Sequence, residues 1–445
     1  MTNGGRGERL VQRATELSGV LKMPSDKSIG HRALIANAIA SGQARIRLAA
    51  PGADLRSTIS CLQALGVQLG VMESPTGIEV NVSGSSDLPG GDRLLDCGNS
   101  ATSMRLLAGV ATARSGSTVL DGDASLRRRP MERVAVPLRA MGAKISTSFA
   151  GSAPIRIDGG RPLRGMRHRL PVASAQLLAA VVFAALNADG ETEIEVPSSV
   201  RDHTERLLAW MGAPIRRVGD RRTLLASPTR LTARSIDVPG DPSSAAAWMV
   251  AAAIHPNARL RLVGLALNPS RLAVVDLLRE MGASIRVEPA QLDGDGPEPV
   301  GDVVSKGGAR LHRVHLAGPR VAALIDELPL VGVLMAAADG TSELRDASEL
   351  RLKESDRIAT TVAGLDAIGA RVDELRDGWR VGPGRPRTAS IKTHGDHRTA
   401  IAFAIAAVAG VAGDVTLDDA SCVGVSYPTF WDDLAAAAGM TGASV

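Results

Sequence analysis

A short motif recurs six times along the 445-residue chain and constrains its fold more than any other feature. It has the form Leu-x-x-apolar-Gly, followed by a small residue, and its sixth copy is degenerate. The glycines of the six copies are Gly66, Gly142, Gly212, Gly282, Gly369 and Gly439. Successive glycines are separated by 76, 70, 70, 87 and 70 residues. Such self-similarity indicates one supersecondary unit repeated six times, which fills the chain.

Each unit contains the same predicted elements in the same order. The glycine is typical of the residue that follows a helix end, and an extended apolar run follows it. Polar residues predict the starts of the helices that lead into the glycines: Asp202, Ser270, Ser355 and Thr429. A more apolar helix lies upstream in each unit, for example at 176–186, 245–254, 328–338 and 398–408. With strands between and around the helices, each unit is β-α-β-α-β-β, and its more apolar helix should be buried.

Three units per domain divide the chain evenly. We predict a first domain at 22–235 and a second at 236–445, because turn residues cluster near 235–240. The N-terminal residues 1–21 precede the first unit, so we expect them to complete the last unit of the second domain. The segment 288–308 is rich in Gly, Pro and Asp and is predicted to be a surface insertion.

Composition narrows the possible ligands. The net charge of +4 favours anionic partners, but aromatic residues make up only 2% of the chain. Since proteins that bind single-stranded nucleic acid usually stack bases on aromatic side chains, we expect no nucleic-acid partner. No Gly-rich nucleotide-binding motif follows a predicted strand. Small phosphorylated or carboxylated molecules remain as the expected ligands.

Cysteines, histidines and hydropathy predict a cytoplasmic protein without metal. Cys61, Cys97 and Cys422 are odd in number and widely spaced, which favours reduced thiols. His312 and His315 should point to opposite faces of a strand, so we expect no metal site there. The polar N-terminus does not resemble a secretory signal, and no apolar stretch is long enough to suggest a membrane span.

Basic and hydroxyl residues stand at the starts of the predicted helices, where free backbone N–H groups favour anions. In the first three units they are Lys27, Ser28 and Arg32, then Asn99, Thr102 and Arg105, then the run Arg127–Arg129, and then Ser174, Gln176 and Arg201. Taken singly, each also fits a helix cap or a solvated surface charge. For Asn99 and Thr102 alone, capping is the better interpretation, and Arg105 also fits a structural ion pair.

The second half of the chain mixes cations with carboxylates. Asp326 and Glu327 precede a very apolar helix, where they could complement its dipole or accept a proton. Lys353 and Arg357 are four residues apart, and we interpret them as like charges on one helix face that an anion would neutralise. Arg398 opens the last apolar helix, where it fits either an anion site or a buried ion pair with Asp396. Because these starts are equivalent in the repeat, we expect them to converge on a small, multiply anionic ligand.

The motifs at these helix starts resemble those of the 5-enolpyruvylshikimate-3-phosphate synthase family, in the same order. They read Asp-Lys27-Ser-Ile-Gly-His-Arg, Gly-Asn99-Ser-Ala-Thr-Ser-Met-Arg, Arg129-Pro-Met, Ser174-Ala-Gln, Leu-Lys353-Glu-Ser-Asp-Arg and Gly-Asp-His397-Arg. The resemblance extends from near residue 20 to near residue 430. It implies a two-domain inside-out α/β barrel with three β-α-β-α-β-β units per domain and an active site in the cleft between the domains.

The resemblance also implies roles for individual residues. Those implied for shikimate 3-phosphate are Lys27, Ser28, Arg32, Ser174, Ala175, Gln176, Arg201, Asp326 and Lys353. Those implied for phosphoenolpyruvate are Lys27, Asn99, Ala101, Arg129, Gln176, Lys353, Arg357 and Arg398. Asp326 is implied as the acceptor of the substrate hydroxyl proton and Glu354 as a candidate proton donor, with Lys27 as the third catalytic group.

The implied activity is transfer of the enolpyruvyl group of phosphoenolpyruvate to the 5-hydroxyl of shikimate 3-phosphate, with release of phosphate. This reaction belongs to the shikimate pathway to chorismate and the aromatic amino acids. It implies no cofactor, because phosphoenolpyruvate is itself an activated donor. The two substrates are the only expected partners, and we expect a monomer.

One departure and two alternatives stand beside this resemblance. Ala101 replaces a glycine of the glyphosate-sensitive branch, so the chain resembles the glyphosate-insensitive branch. A UDP-sugar enolpyruvyl transferase of the same fold is one alternative, but the loop near 121–133 lacks the cysteine of that relative. A non-catalytic anion-binding protein is the other. Retention of Asp326 and Glu354 among cations argues against it, because carboxylates weaken anion binding.

Overall fold

The computed structural model describes residues 7–290 and 296–439. The strands are β1 Arg9–Val11, β2 Leu17–Lys22, β3 Gly42–Ala49, β4 Gln68–Ser74, β5 Gly77–Gly84, β6 Arg93–Asp96, β7 Gly116–Asp121, β8 Lys144–Ser146, β9 Ile155–Gly159, β10 Arg167–Arg169, β11 Thr192–Glu195, β12 Ile215–Val218, β13 Arg222–Leu225, β14 Ile236–Asp237, β15 Ala258–Ala266, β16 Ser284–Pro289, β17 Val300–Lys306, β18 His315–Leu316, β19 Ser342–Leu344, β20 Arg371–Leu375, β21 Gly378–Gly382, β22 Ala389–Ile391 and β23 Val415–Leu417. The helices are α1 Lys27–Ala38, α2 Ala53–Ala64, α3 Ala101–Ala111, α4 Glu132–Ala140, α5 Ala175–Ala185, α6 His203–Trp210, α7 Pro242–Ile254, α8 Ala273–Glu280, α9 Pro319–Ala323, α10 Leu328–Ala336, α11 Arg357–Ala367, α12 His397–Val408 and α13 Phe430–Ala437.

The chain forms two compact domains. The N-terminal domain comprises 25–238 together with 296–298, and the C-terminal domain comprises the other described residues, 7–24, 239–290 and 299–439. The chain crosses between the domains after residues 24 and 238, each within three residues of a predicted boundary, and it crosses again on either side of 296–298, where no boundary was predicted. The prediction that 296–298 belong to the C-terminal domain was wrong, because these residues pack in the N-terminal domain.

The predicted unit is visible in the second sheet. Strand β6 is parallel to β7, with α3 between them in sequence, and α4 leads from β7 to the antiparallel β8 and β9. The resulting order is β6-β7-β9-β8. The same order recurs as β10-β11-β13-β12 and β18-β19-β21-β20. The β-α-β-α-β-β repeat is thus confirmed.

Two strands are exchanged where the chain passes between domains. Strand β2 precedes the first unit yet pairs with β15 of the fourth, and β14 precedes the fourth unit yet pairs with β3 of the first. The predicted boundary before residue 236 was therefore wrong for β14, because a two-residue strand has no hydropathy pattern that reveals its partner. Strand β1 pairs with β23 in the last sheet, so residues 9–11 complete the last unit as expected, but β2 belongs to the fourth unit and not to the last.

The recurring glycines end helices as predicted. All six have positive φ, between 65° and 106°. At the first copy, Gly66 N–H donates to Gln63 O, and Val67 N–H donates to Leu62 O, which satisfies the last carbonyls of α2. A positive φ is readily adopted only by glycine, so this requirement explains why the motif repeats.

The predicted helix starts are right in two cases and wrong in two. Asp202 and Thr429 are the N-caps of α6 and α13. Asp356, one residue after the predicted Ser355, caps α11 through its carboxylate. Ser270 lies in a 3-10 turn capped by Asn268, and α8 begins only at Ala273. The chain takes an extra turn there that the polar residue alone could not reveal.

Each domain places its most apolar helices inside. Nearly every residue of α1, α3 and α5 is buried in the N-terminal domain, and the same holds for α7, α10 and α12 in the C-terminal domain. The helices that lead into the glycines bury only one face, as α8 does. Because the buried helices are packed closely and the sheets lie outside them, each domain has the expected inside-out arrangement.

The predicted surface insertion at 288–308 was largely wrong. Strand β16 continues to Pro289, and β17 occupies Val300–Lys306 and pairs with it. Residues 291–295 lie outside the described part of the chain. The polar composition suggested a surface insertion, but β17 alternates buried and half-buried positions, which is typical of a strand with one face on the core. Within the described residues, no helix is both long and apolar enough to cross a membrane.

Candidate active site

The start of α1 joins a lysine to a carboxylate. Asp26 caps the helix by accepting from Ile29 N–H at 2.9 Å, so Lys27 is its first residue. The Lys27 ammonium lies 2.9 Å from Asp54 Oδ2, and the lysine side chain is 24% exposed. The helix start thus carries an oriented, accessible ammonium, as predicted, and Ser28 follows directly beside it.

Arg32 links three helix starts inside the N-terminal domain. Its guanidinium donates to Ser28 O at 2.9 Å, to Thr204 Oγ1 at 2.7 Å and to Ala175 O at 3.3 Å. Burial lowers the pKa of Arg32 to about 10, which leaves it charged at neutral pH. A buried cation with these partners is a fixed positive charge rather than a solvated surface charge.

The start of α3 corrects two predictions. Ser100, and neither Asn99 nor Thr102, is the N-cap, and it accepts from Ser103 N–H. Asn99 instead donates to Asp123 at 2.7 Å and accepts from Arg129 at 2.9 Å. Ala101 is the first residue of the helix and is buried. The amide side chain of Asn99 is therefore available for a polar network, because it does not cap the helix.

Gln176 connects α3 with α5. Ser174 caps α5. The Gln176 amide accepts from Arg105 at 2.5 Å and donates to Thr102 Oγ1 at 2.9 Å. Two helix starts are thus joined through one side chain. Arg105 takes part in this connection through its hydrogen bond to Gln176.

The arginine run divides between surface and interior. Arg127 pairs with Asp121 on the surface, and Arg128 is exposed. Arg129 alone turns to Asn99. The run was expected at a helix start, but α4 begins only at Glu132, three residues after Arg129. Arg201 lies just before Asp202, the N-cap of α6.

In the C-terminal domain, cations surround Asp326. Its carboxylate lies 3.4 Å from the Lys353 ammonium and 4.0 Å from the Arg357 guanidinium. Lys353 is extended and precedes α11, and Arg357 is the first residue of that helix. The prediction of both cations on one helix face was therefore wrong. Their mutual repulsion is offset by carboxylates of this domain.

Arg357 is paired with two of these carboxylates. It donates to Asp396 at 2.8 and 3.1 Å and to Glu354 at 2.8 Å. Burial alone would lower the pKa of Arg357, but Asp396 and Glu354 raise it above its ordinary value. Burial likewise opposes ionisation of Asp396, yet Arg357 holds the pKa of that carboxyl below its ordinary value. Both groups are charged at neutral pH.

Arg398 does not form the buried ion pair that sequence offered as an alternative. Asp396 caps α12 by accepting from Arg398 N–H, while its carboxylate pairs with Arg357. The Arg398 side chain, partly exposed, lies 3.4 Å from Ser243 O at the start of α7. The starts of α7, α11 and α12 therefore converge within this domain.

Sequence reasoning missed a buried network beside Arg398. Arg271 donates to Asp241 at 2.6 Å and to Ser243 Oγ at 2.8 Å, and Ser243 in turn donates to Glu327. Asp241 caps α7, where Pro242 follows it. An Asp before a helix-starting Pro is a recognisable N-cap signal that could have drawn attention to this start.

Comparison with known proteins identifies the family. The model of EPSP synthase (3-phosphoshikimate 1-carboxyvinyltransferase) matches residues 11–434. The 3-phosphoshikimate 1-carboxyvinyltransferases of Roseiflexus castenholzii and Chloroflexus aurantiacus are each 46% identical, with 94% of this chain and 96% of each relative covered. The chain belongs to the EPSP synthase family.

Solved structures agree with this assignment. An EPSP synthase from Acinetobacter baumannii has a TM-score of 0.83 at 36% identity, covering 98% of this chain and 99% of the other. The enolpyruvyl transferase NikO from Streptomyces tendae has a TM-score of 0.74 at 19% identity, covering 97% and 98%, and shares the fold. The predicted two-domain inside-out α/β fold of the EPSP synthase family is thus confirmed.

The arrangement of the acidic, histidine and cysteine side chains bears on metal binding and disulfides. Within 7–290 and 296–439, no cluster of three or more His, Cys, Asp or Glu side chains is arranged to hold a metal ion. The three cysteines are free thiols, as expected, and the sulfurs of Cys61 and Cys97 lie 3.9 Å apart. The charged side chains at the helix starts carry the chemistry discussed below.

Proposed function

We propose that this chain transfers the enolpyruvyl group of phosphoenolpyruvate to the 5-hydroxyl of shikimate 3-phosphate and releases phosphate. It is a transferase of the shikimate pathway, which leads to chorismate and the aromatic amino acids. The observation that carries the proposal is the gathering of cations at buried helix starts, in a chain that the EPSP synthase family spans from 11 to 434. Two multiply anionic substrates require such cations.

The proposed residues for shikimate 3-phosphate lie mainly in the N-terminal domain. They are Lys27, Ser28, Arg32, Ser174, Ala175, Gln176 and Arg201, with Asp326 and Lys353 from the C-terminal domain. The contacts of Arg32 with Ser28 and Ala175 support a single site for this group. Arg201 binds the phosphate in this proposal, because a guanidinium group can bind two phosphate oxygens in a bidentate way.

The proposed residues for phosphoenolpyruvate come from both domains. They are Lys27, Asn99, Ala101, Arg129 and Gln176, with Lys353, Arg357 and Arg398. The contact between Arg129 and Asn99 supports the first set, and the clustering of Lys353 and Arg357 around Asp326 supports the second. We place the complete site in the cleft between the domains, which substrates would bring together.

The proposed reaction moves two protons. Asp326 accepts the proton of the 5-hydroxyl group as the hydroxyl oxygen attacks C2 of phosphoenolpyruvate. Glu354, or Lys27, donates a proton to C3 of phosphoenolpyruvate, which becomes a methyl group. The tetrahedral adduct then loses phosphate as a methyl proton returns to the group that donated it, and the proton on Asp326 leaves with the phosphate. The contacts of Asp326 with Lys353 and Arg357 support this assignment, because they hold a carboxylate, which can accept a proton, among the cations proposed to bind both substrates.

The same residues stabilise the developing charge. Lys353, Arg357 and Arg398 face negative charge on the phosphate and carboxylate of phosphoenolpyruvate in this proposal. Fixed cations stabilise such charge more strongly in a closed site than in water. Exclusion of water would also protect the adduct from hydrolysis. No cofactor takes part, and we propose that the enzyme acts as a monomer in the cytoplasm.

A pair of substitutions tests the division of substrate contacts. Arg201→Ala should raise KM for shikimate 3-phosphate by roughly tenfold or more, because one charge-assisted hydrogen bond contributes about 1.5–3 kcal/mol. Arg398→Ala should do the same for phosphoenolpyruvate. Each variant should leave KM for the other substrate within about twofold. Arg128→Ala, at an exposed position, is the matched control. Equal effects of both variants on both substrates would contradict the assignment.

A further inference from the structure

A short segment leaves the C-terminal domain and packs in the N-terminal one. Strands β16 and β17 belong to the C-terminal domain, but residues 296–298 of the connection between them belong to the N-terminal domain. Within this segment, the Glu298 side chain is only 3% exposed. A buried carboxylate on a connection between strands is costly unless it has specific partners, so its contacts are informative.

Glu298 contacts a histidine at the start of α6. Its Oε1 atom lies 2.6 Å from Nδ1 of His203, whose side chain is 1% exposed. An ionised carboxylate accepts hydrogen bonds, so Nδ1 carries the hydrogen in this contact. The other ring nitrogen, Nε2, is buried without a hydrogen-bond partner in the described part of the chain. The contact with Glu298 therefore fixes the orientation of this imidazole.

His203 lies near two arginines of the proposed shikimate 3-phosphate site, Arg201 and Arg32. It is the first residue of α6, two positions after Arg201. The next residue, Thr204, accepts from Arg32 Nε at 2.7 Å. The charge of Glu298 also favours the ionised form of Arg32 against the effect of burial. The first turn of α6 thus connects Glu298 with Arg32 through side-chain contacts, and it begins two positions after Arg201 in the chain.

We propose that Glu298 is a positioning residue for the phosphate of shikimate 3-phosphate. It holds His203, and through His203 the first turn of α6, so that Arg201 and Thr204 keep the geometry that phosphate requires. The inference rests on the proposed function, in which Arg201 binds this phosphate and Arg32 contacts the same substrate. It makes Glu298 part of the substrate-binding machinery, although Glu298 is not itself proposed as a substrate ligand.

Two substitutions of Glu298 separate positioning from charge. Glu298→Ala removes the acceptor and should raise KM for shikimate 3-phosphate about tenfold, with kcat and KM for phosphoenolpyruvate within about twofold. Glu298→Gln keeps an oxygen acceptor without the charge and should restore KM to within about threefold of the wild type. Glu280→Ala, an exposed carboxylate on α8 paired with Arg320, is the matched control and should change neither constant.

Three outcomes would overturn the inference. If both variants bind shikimate 3-phosphate more tightly, Glu298 competes with the phosphate for the cations. If Glu298→Ala lowers kcat alone, the residue acts elsewhere in the reaction. If KM for shikimate 3-phosphate is unchanged in the folded Glu298→Ala variant, the contact has only a structural role.

Hydrogen exchange of the wild-type enzyme tests the inference without any variant. Shikimate 3-phosphate should slow exchange severalfold in peptides covering 27–38 and 175–185, in the first turn of α6, and in the peptide that contains Glu298. Slower exchange in 27–38 and 175–185, with no change in the first turn of α6 or around Glu298, would overturn this inference and leave the proposed function intact. Protection in none of them would refute the proposed substrate site itself.

Discussion

Arg357 and Asp396 form a buried ion pair through two hydrogen bonds, of 2.8 Å from Nε and 3.1 Å from Nη2. The arginine opens α11, and the aspartate caps α12. One carboxylate therefore neutralises a buried cation and also satisfies a helix start. The pair fixes Arg357 where the proposed site needs a cation for phosphoenolpyruvate.

Asp396→Asn should destabilise the protein and weaken phosphoenolpyruvate binding. Removing one charge of a buried pair leaves the other uncompensated, which typically costs about 3–5 kcal/mol of the free energy of unfolding. Urea unfolding and KM for phosphoenolpyruvate measure the two effects. Asp339→Asn breaks the exposed pair with Arg310 and should change neither beyond error. Unchanged stability of Asp396→Asn would contradict the importance of this pair.

His31 should make stability decrease on acidification. Burial lowers its pKa to about 3, from about 6.5 in the unfolded chain. Its contribution is therefore complete above pH 6.5 and is lost as pH falls toward 3, because the unfolded state then binds the proton. Relative to His31→Gln, the wild type should lose about 2 kcal/mol between pH 7 and pH 5 in urea unfolding. A stability difference that is constant with pH would contradict this account.

Ala101 should limit inhibition by glyphosate. Its methyl group lies on the first, buried residue of α3 and should shorten the proposed phosphoenolpyruvate pocket. Ala101→Gly should therefore lower the inhibition constant of glyphosate by roughly tenfold or more, because one additional carbon in a binding pocket typically changes affinity by such a factor. Ala53→Gly, at the exposed first residue of α2, controls for a glycine at a helix start. A wild-type inhibition constant in the low micromolar range or below would contradict the insensitivity.

Gly109 allows α3 and α5 to approach closely. A Cβ atom at this position would lie 2.1 Å from the carbonyl oxygen of Ala180, which is backbone and cannot move aside. Gly109→Ala should therefore lower the free energy of unfolding by about 1–3 kcal/mol or more. Gly424→Ala, where a Cβ would meet no atom within 4 Å, should have little effect. Chemical unfolding measures the free energy of unfolding of the two variants. Equal values for Gly109→Ala and Gly424→Ala would contradict the close packing of α3 and α5.

The sequence was sufficient to predict the repeated units and the features that depend on neighbouring residues, such as helix ends and buried helices. The glycine at each helix end requires a positive φ, so it marked all six units, including Gly439 in the degenerate copy. The cations at helix starts were visible because loop-to-helix junctions have local signals. Prediction of the buried helices also succeeded, because their composition is apolar on every face, as in α10.

What the sequence did not reveal depends on distant partners. Asp396 pairs with Arg357, 39 positions away, instead of its neighbour Arg398. Strands β2 and β14 are too short or too ordinary to indicate that they exchange sheets. Glu298 gave no signal, because its partner His203 is 95 positions away. Such pairings are fixed by tertiary packing, which no local pattern encodes.

Phosphate release with both substrates tests the central claim most directly. We expect the wild-type enzyme to release phosphate only when shikimate 3-phosphate and phosphoenolpyruvate are both present. We expect Asp326→Asn to bind shikimate 3-phosphate within about threefold of wild type, because it keeps the shape of the site, but to lose turnover by a factor of about 100 or more. The absence of phosphate release from the wild type near neutral pH would contradict the proposed reaction. Near-normal turnover of Asp326→Asn would contradict its role as the base.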